Sequence, residues 1–91
     1  MTAEVAALIQ ARLQAALAPA RLRVRDDSHL HAGHPGAREG GHYHVMIAAE
    51  AFRGLAPLAR HRRVYDALGD LLPGRIHALS IEASLPENPS P

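Results

Sequence analysis

Cysteine is missing from this 91-residue chain, as are tryptophan and lysine, and the aromatic set amounts to one Phe and two Tyr. With no thiol there can be no disulfide framework, no CxxC redox pair and no thiolate nucleophile. With so few aromatics, the core must rest on Leu, Ile, Val and Ala, which carry most of a 47% hydrophobic content in the range of a globular domain. No apolar run approaches the roughly 18–20 residues needed to span a bilayer. The N-terminal MTAEVAALIQARLQ lacks a basic n-region followed by an apolar h-region, so it does not read as a signal peptide. The formal charge is +1, which leaves no strong field to attract nucleic acid or an anionic membrane. All ten basic residues are Arg, a usage that reads as base-composition bias. These absences predict one soluble, cytoplasmic domain with no membrane association.

What is present is punctuated clearly. Val5, Leu8, Ile9, Leu13 and Leu17 recur at helical spacing over 3–17, with Thr2 as N-cap and Pro19 as the stop. Arg21 to Arg25 alternate strictly, a strand with Leu22 and Val24 inward. Residues 26–41 form a long Gly/Pro-containing loop, and a second strand over 42–49 puts Tyr43, Val45 and Ile47 on one face. A turn or short helical piece over 51–56 leads to a helix over 57–72, opened by Pro57 and burying Leu58, Val64, Tyr65, Leu68, Leu71 and Leu72. After Pro73-Gly74, a strand over 75–83 carries His77, Leu79 and Ile81 in one phase. The expected architecture is α+β, in the order α-β-β-α-β. An antiparallel hairpin is followed by a helical crossover to a parallel third strand, and both helices cover one face of a three-stranded mixed sheet. One domain over 1–84 precedes a flexible Pro-rich tail, 85–91.

Five of the seven histidines fall within 26–44, DDSHLHAGHPGAREGGHYH. Imidazole titrates near neutral pH and is the commonest protein metal ligand. His29, His31 and His34 have spacings that a loop can fold around one ion, yet they complete no structural zinc motif. They are either a solvated loop or an open site, such as a zinc or nickel buffer. His77 lies inside an apolar strand, where an unpartnered imidazole is costly; it is either a satisfied, half-buried core histidine or a ligand. A loop folded back over the sheet would bring His31 towards His77. His42 and His44 point away from the Tyr43 face and are expected as solvent-exposed strand positions outside any site.

Little else carries chemistry. Ser28, Asp27 and His29 are neighbours without the strand-elbow-helix context of a nucleophile, and Glu39, Glu50 and Glu82 are unpaired, so no catalysis is expected. Gly33 to Gly36 match GxxG in a hairpin loop rather than between helices. Arg60-His61-Arg62-Arg63 is the one dense basic run, either a solvated helix face with an Arg62–Asp66 pair or a phosphate or partner patch.

Together, DDSHLHAGHPGA, GGHYHVMI, AAEAFRGLAPLARHRRVYDAL and RIHALSIEA closely resemble the BolA family, over about residues 4–84. The specific segments are Phe52, Gly54, Arg60, His61, Arg62, Val64 and Tyr65, and Ile76 to Ile81. The resemblance implies a KH-like (class II-like) fold and a non-enzymatic adaptor in iron–sulfur trafficking or iron regulation. Such an adaptor joins a monothiol glutaredoxin and glutathione as a heterodimer in holding a [2Fe–2S] cluster. It implies His77 and His31 as metal ligands, with His29 and His34 as substitutes, and no cofactor on the isolated chain. Rieske-type centres show that two imidazoles can replace two thiolates on one iron, so a chain without cysteine needs a thiolate-bearing partner. The family's association with transcription regulation implies an alternative, DNA binding through Arg53, Arg60, Arg62 and Arg63; a charge of +1 makes such binding weak and salt-sensitive.

Overall fold

The computed structural model describes residues 2–27, 41–72 and 74–87. Helix α1 (Thr2–Leu17) begins at the residue expected to cap it. Its core face is Ile9, Leu13 and Leu17, spaced four apart and buried. The helix ends where Ala18 turns left-handed (φ 43°) while its N–H still donates to the Gln14 carbonyl at 3.1 Å. Pro19 then rules out another helical turn.

Strand β1 (Arg21–Asp26) pairs antiparallel with β2 (Gly41–Ala48), and β2 pairs parallel with β3 (Ile76–Ser84), in the order β1-β2-β3. Between β2 and β3 lie a 3-10 turn (Glu50–Phe52), helix α2 (Pro57–Leu68) and a second 3-10 turn (Gly69–Leu71). The element order, the mixed sheet and its pairing are those expected. Tyr43, Val45 and Ile47 share one buried cluster with Ile9, Leu13, Val64 and Leu68, so both helices lie on the same face of the sheet. The single Phe, Phe52, is fully buried in it. Gly54, just after the first 3-10 turn, has φ 81° and nothing within 4 Å of where a Cβ would sit, so backbone conformation alone selects glycine there.

Three expectations are corrected. Helix α2 stops at Leu68 rather than 72, because the chain tightens into a 3-10 turn at Gly69, a poor helix former. Leu58 and Tyr65, expected in the core, are 65% and 40% exposed. The core line of α2 is Val64 and Leu68, and at about 100° per residue Leu58 and Tyr65 sit roughly a quarter-turn or more away from it. Hydrophobic character alone did not reveal that phase.

The third correction concerns His77. Gly41 pairs with Ile76 but His42 pairs with Ala78, so β3 carries one extra residue at His77. This bulge switches the phase of the strand. Ile76 is buried before it, while Leu79, Ile81 and Ala83 pack against the core after it, and His77 is exposed rather than in phase with Leu79 and Ile81.

The outer edge of β3 is partly closed. The Ser84 carbonyl accepts from Ala49 N–H on the β2 side (3.1 Å), so the carbonyls of 79, 81 and 83 face outward. Tyr65 Oη donates to Leu79 O at 3.4 Å and an Arg60 guanidinium N–H to Ala83 O at 3.5 Å. Beyond β3 the chain remains held: Leu85 packs on the core, the Pro86 carbonyl accepts from Arg21 at 2.9 Å, and Glu87 pairs with Arg53 at 2.8 Å. Among the described residues, no helix is long and apolar enough to cross a membrane.

Candidate metal-binding site

Parallel pairing decides where the histidines meet. Strands β2 and β3 start side by side, Gly41 opposite Ile76, and the Gly41 N–H donates to the Arg75 carbonyl at 3.1 Å. On the other side, Asp27 N–H donates to the His42 carbonyl at 2.7 Å. The chain therefore leaves β1 and re-enters β2 at the same end of the sheet where β3 begins. His77 reaches that end through strand pairing, with no folding back of the loop required.

There the bulged His77 meets His42, with ring centroids 5.1 Å apart and planes tilted by 46°. His42 is half-buried and His77 exposed. The sequence places His42 at a solvent-exposed strand position outside any site. Its alternation was legible, but its neighbour was not, because the contact depends on a register shift that periodicity cannot show. His77 is not a core histidine: its ring is outside the apolar cluster.

His44 is also more than a surface position. Its Nδ1 meets Ser80 Oγ and its Nε2 lies 2.6 Å from the Glu82 carboxylate, with the side chain only 14% exposed. Both partners come from β3, at the directly paired position and two beyond. With both ring nitrogens engaged, His44 would have to give up a hydrogen bond to ligate a metal. Opposite it on β1, Arg25 forms an ion pair with Asp27 at 2.8 Å, which raises the Arg25 pKa through a charge-assisted hydrogen bond.

His29, His31 and His34 lie outside the described residues. Among the described residues, no three or more His, Cys, Asp or Glu side chains gather in a metal-ligating group. The visible arrangement is two imidazoles at one sheet end. A tetrahedral metal centre would take four ligands, two more than these imidazoles offer.

The expected basic patch is divided. Arg53 is held by Glu50 and by Glu87, whose hydrogen bonds raise its pKa and depress theirs. Arg60 is half-buried and donates from Nε to the Leu55 carbonyl at 2.8 Å, besides its contact with Ala83. Arg62 and Arg63 are exposed. Arg62 does not form the ion pair expected with Asp66; the long-range pair at this end of the fold is Arg12 with Asp70.

Fold and site together define a small α+β domain that presents paired imidazoles at the end of an open sheet. Residues 13–88 match the family described as BolA-like protein. Mouse BolA-like protein 1 is 42% identical over 89 residues, covering 93% of this chain and 64% of that protein. Arabidopsis "SufE-like protein 1, chloroplastic/mitochondrial" is 39% identical over 84 residues, covering 86% of this chain and 23% of that protein. The solved structure of BolA1 from Arabidopsis thaliana superposes with a TM-score of 0.80 at 38% identity, covering 92% of this chain and 95% of that one. The chain belongs to the BolA family. It spans 58–64% of the length of the mammalian relatives it matches.

Proposed function

We propose that this chain is a non-enzymatic adaptor that supplies imidazole ligands to a [2Fe–2S] cluster shared with a monothiol glutaredoxin and glutathione, in iron–sulfur trafficking or iron regulation. The observation that carries the reading is the placement of His77. A bulge turns it out of the core, beside His42, at the sheet end where residues 28–40 leave and return. Asp27 is anchored to His42 there, and four further residues of chain reach at most about 14 Å, so the tether to His31 suits a shared site. In this reading His77 and His31 are the ligands, His29 and His34 are substitutes for the loop ligand, and His42 packs against the His77 ring and limits its rotation.

The donor set fits the group. The chain offers imidazoles and no thiolate, and a [2Fe–2S] centre tolerates two imidazoles on one iron when thiolates come from elsewhere. When bound, the cluster supplies one-electron redox chemistry and iron for transfer. The chain's own residues position nitrogen donors, and the bulge and the β2 pairing set the position of His77. The proposal includes a cytoplasmic setting, where a partner's thiols stay reduced. Of the four arginines of the DNA reading, Arg53 and Arg60 are engaged within the fold, which leaves Arg62 and Arg63 to meet phosphates and weakens that reading.

The test is anaerobic co-expression with a monothiol glutaredoxin in the presence of glutathione. The isolated chain should be colourless and the co-purified heterodimer brown. His77→Ala and His31→Ala should each change its visible absorption and circular dichroism. A heterodimer whose spectra are unchanged in both variants refutes the ligand assignment.

A further inference from the structure

Among the described residues, Leu58 and Tyr65 are the large apolar side chains left exposed, at 65% and 40%. Both are on α2, two turns or about 10 Å apart on one side of the helix, with His61 and Arg62 between them. The charge along this stretch has one sign. From Pro57 to Tyr65 the helix carries Arg60, His61, Arg62 and Arg63 and no acid. Arg60 turns inward to the Leu55 and Ala83 carbonyls, and at about 100° per residue Arg63 falls on the far side of the helix from Leu58 and Tyr65, which leaves Arg62 as the exposed cation of the stripe. At its far end Tyr65 Oη donates to the Leu79 carbonyl, two residues along β3 from His77. The stripe is thus continuous with the strand that carries the exposed histidine.

We propose that the Leu58–Tyr65 stripe of α2 is the docking face for the thiolate-supplying protein partner. The surface that fits it has an apolar hollow for Leu58 with a carboxylate beside it for Arg62. The inference rests on the shared-cluster reading above. A phosphate would neutralise Arg62 but give Leu58 no apolar seat, which favours a protein over a nucleic acid. An apolar anchor flanked by Tyr and Arg is the composition that concentrates binding energy at protein interfaces. Docking here would set the partner's thiolates beside the His77 end of β3.

Calorimetry with apo and cluster-loaded monothiol glutaredoxin as the probe tests this on the full chain. Leu58→Glu and Arg62→Glu are at exposed positions, so far-UV circular dichroism and the urea midpoint should hold. Each should weaken binding by about tenfold or more. His77→Ala should bind the apo partner within about twofold of wild type while altering the cluster spectrum, which separates docking from ligation. If wild type binds and both α2 variants bind equally well, the docking face is overturned while the shared-cluster reading stands. If wild type binds neither form, both fall. Variants that lose duplex-DNA binding but keep the glutaredoxin also overturn it, in favour of a nucleic-acid surface.

Discussion

Replacing Gly41 by alanine directs a methyl group into the ring that lies over it. A Cβ built on Gly41 falls 2.5, 2.6 and 2.7 Å from the Cε2, Oη and Cζ atoms of Tyr43, where ordinary contact needs 3.4–4 Å. The ring must therefore move by about 1 Å, yet Tyr43 is only 2% exposed and packed in the core cluster. Overpacking of this kind costs about 1–3 kcal/mol. A clash below 3 Å against a packed ring belongs in the upper half of that range, about 2–3 kcal/mol, and removing a strand glycine returns about 0.5–1 kcal/mol through the unfolded chain, so a net loss of about 1–2.5 kcal/mol is expected. For a domain of this size that corresponds to a fall in Tm of about 4–20 °C. The assay is urea and thermal unfolding of Gly41→Ala, Tyr43→Leu and the double variant. Because Tyr43→Leu removes the obstructing ring, the double variant should be more stable than the sum of the single losses implies, with a coupling of about 1 kcal/mol. Gly41 also holds the Arg75 carbonyl, so imidazole resonances of His42 and His77 should shift in Gly41→Ala. A single variant within about 0.5 kcal/mol of wild type, or a strictly additive cycle, would refute the packing argument.

Arg60→Ala should destabilise the chain by about 1 kcal/mol through loss of the bonds to Leu55 O and Ala83 O, whereas Arg62→Ala should stay within about 0.5 kcal/mol; equal urea midpoints would show that Arg60 is a surface residue. The Arg12 guanidinium holds the Asp70 carboxyl at about 2, below its ordinary 3.8. Because the folded value is the lower one, this pair's stabilisation is complete above about pH 4 and disappears as pH falls through about 2. Asp70→Asn should flatten that acid limb in urea melts taken between pH 6 and 2, and superimposable limbs would count against the pair.

The layout of the fold was legible because two periods alternate cleanly along the chain. Leu22 and Val24, then Tyr43, Val45 and Ile47, mark strands by alternation, and Ile9, Leu13 and Leu17 mark a helix by spacing. The errors fall where a long-range contact overrides the local period. Ile76 and Leu79 both pack inward although an odd number of steps separates them, which only a bulge permits, and the bulge is set by pairing with β2. Leu58 and Tyr65 read as core by apolar character, yet the buried line of the helix is Val64 and Leu68. His42 and His44 acquire their partners His77, Ser80 and Glu82 across a parallel strand pair more than thirty residues distant in sequence. Pattern leaves His77 open between core histidine and ligand and the loop histidines open between solvated loop and metal site; family likeness selects His77 and His31 as the ligands. Of these, the structure describes His77, at the sheet end beside His42.

The two outer edges of the sheet also determine how this chain can associate with itself. At β3, two of the outward carbonyls already accept donors from Tyr65 and Arg60, so an incoming strand finds its acceptors engaged. At β1, Arg21, Arg23 and Arg25 recur at every second residue, and a second copy laid edge to edge would set one guanidinium row against another. Strand addition between copies, the route to fibrils and to domain-swapped sheets, is thus opposed on both sides by different means. A cell could accumulate this protein without its apolar strands seeding a growing sheet, and the histidine end of the fold would stay open to a different protein.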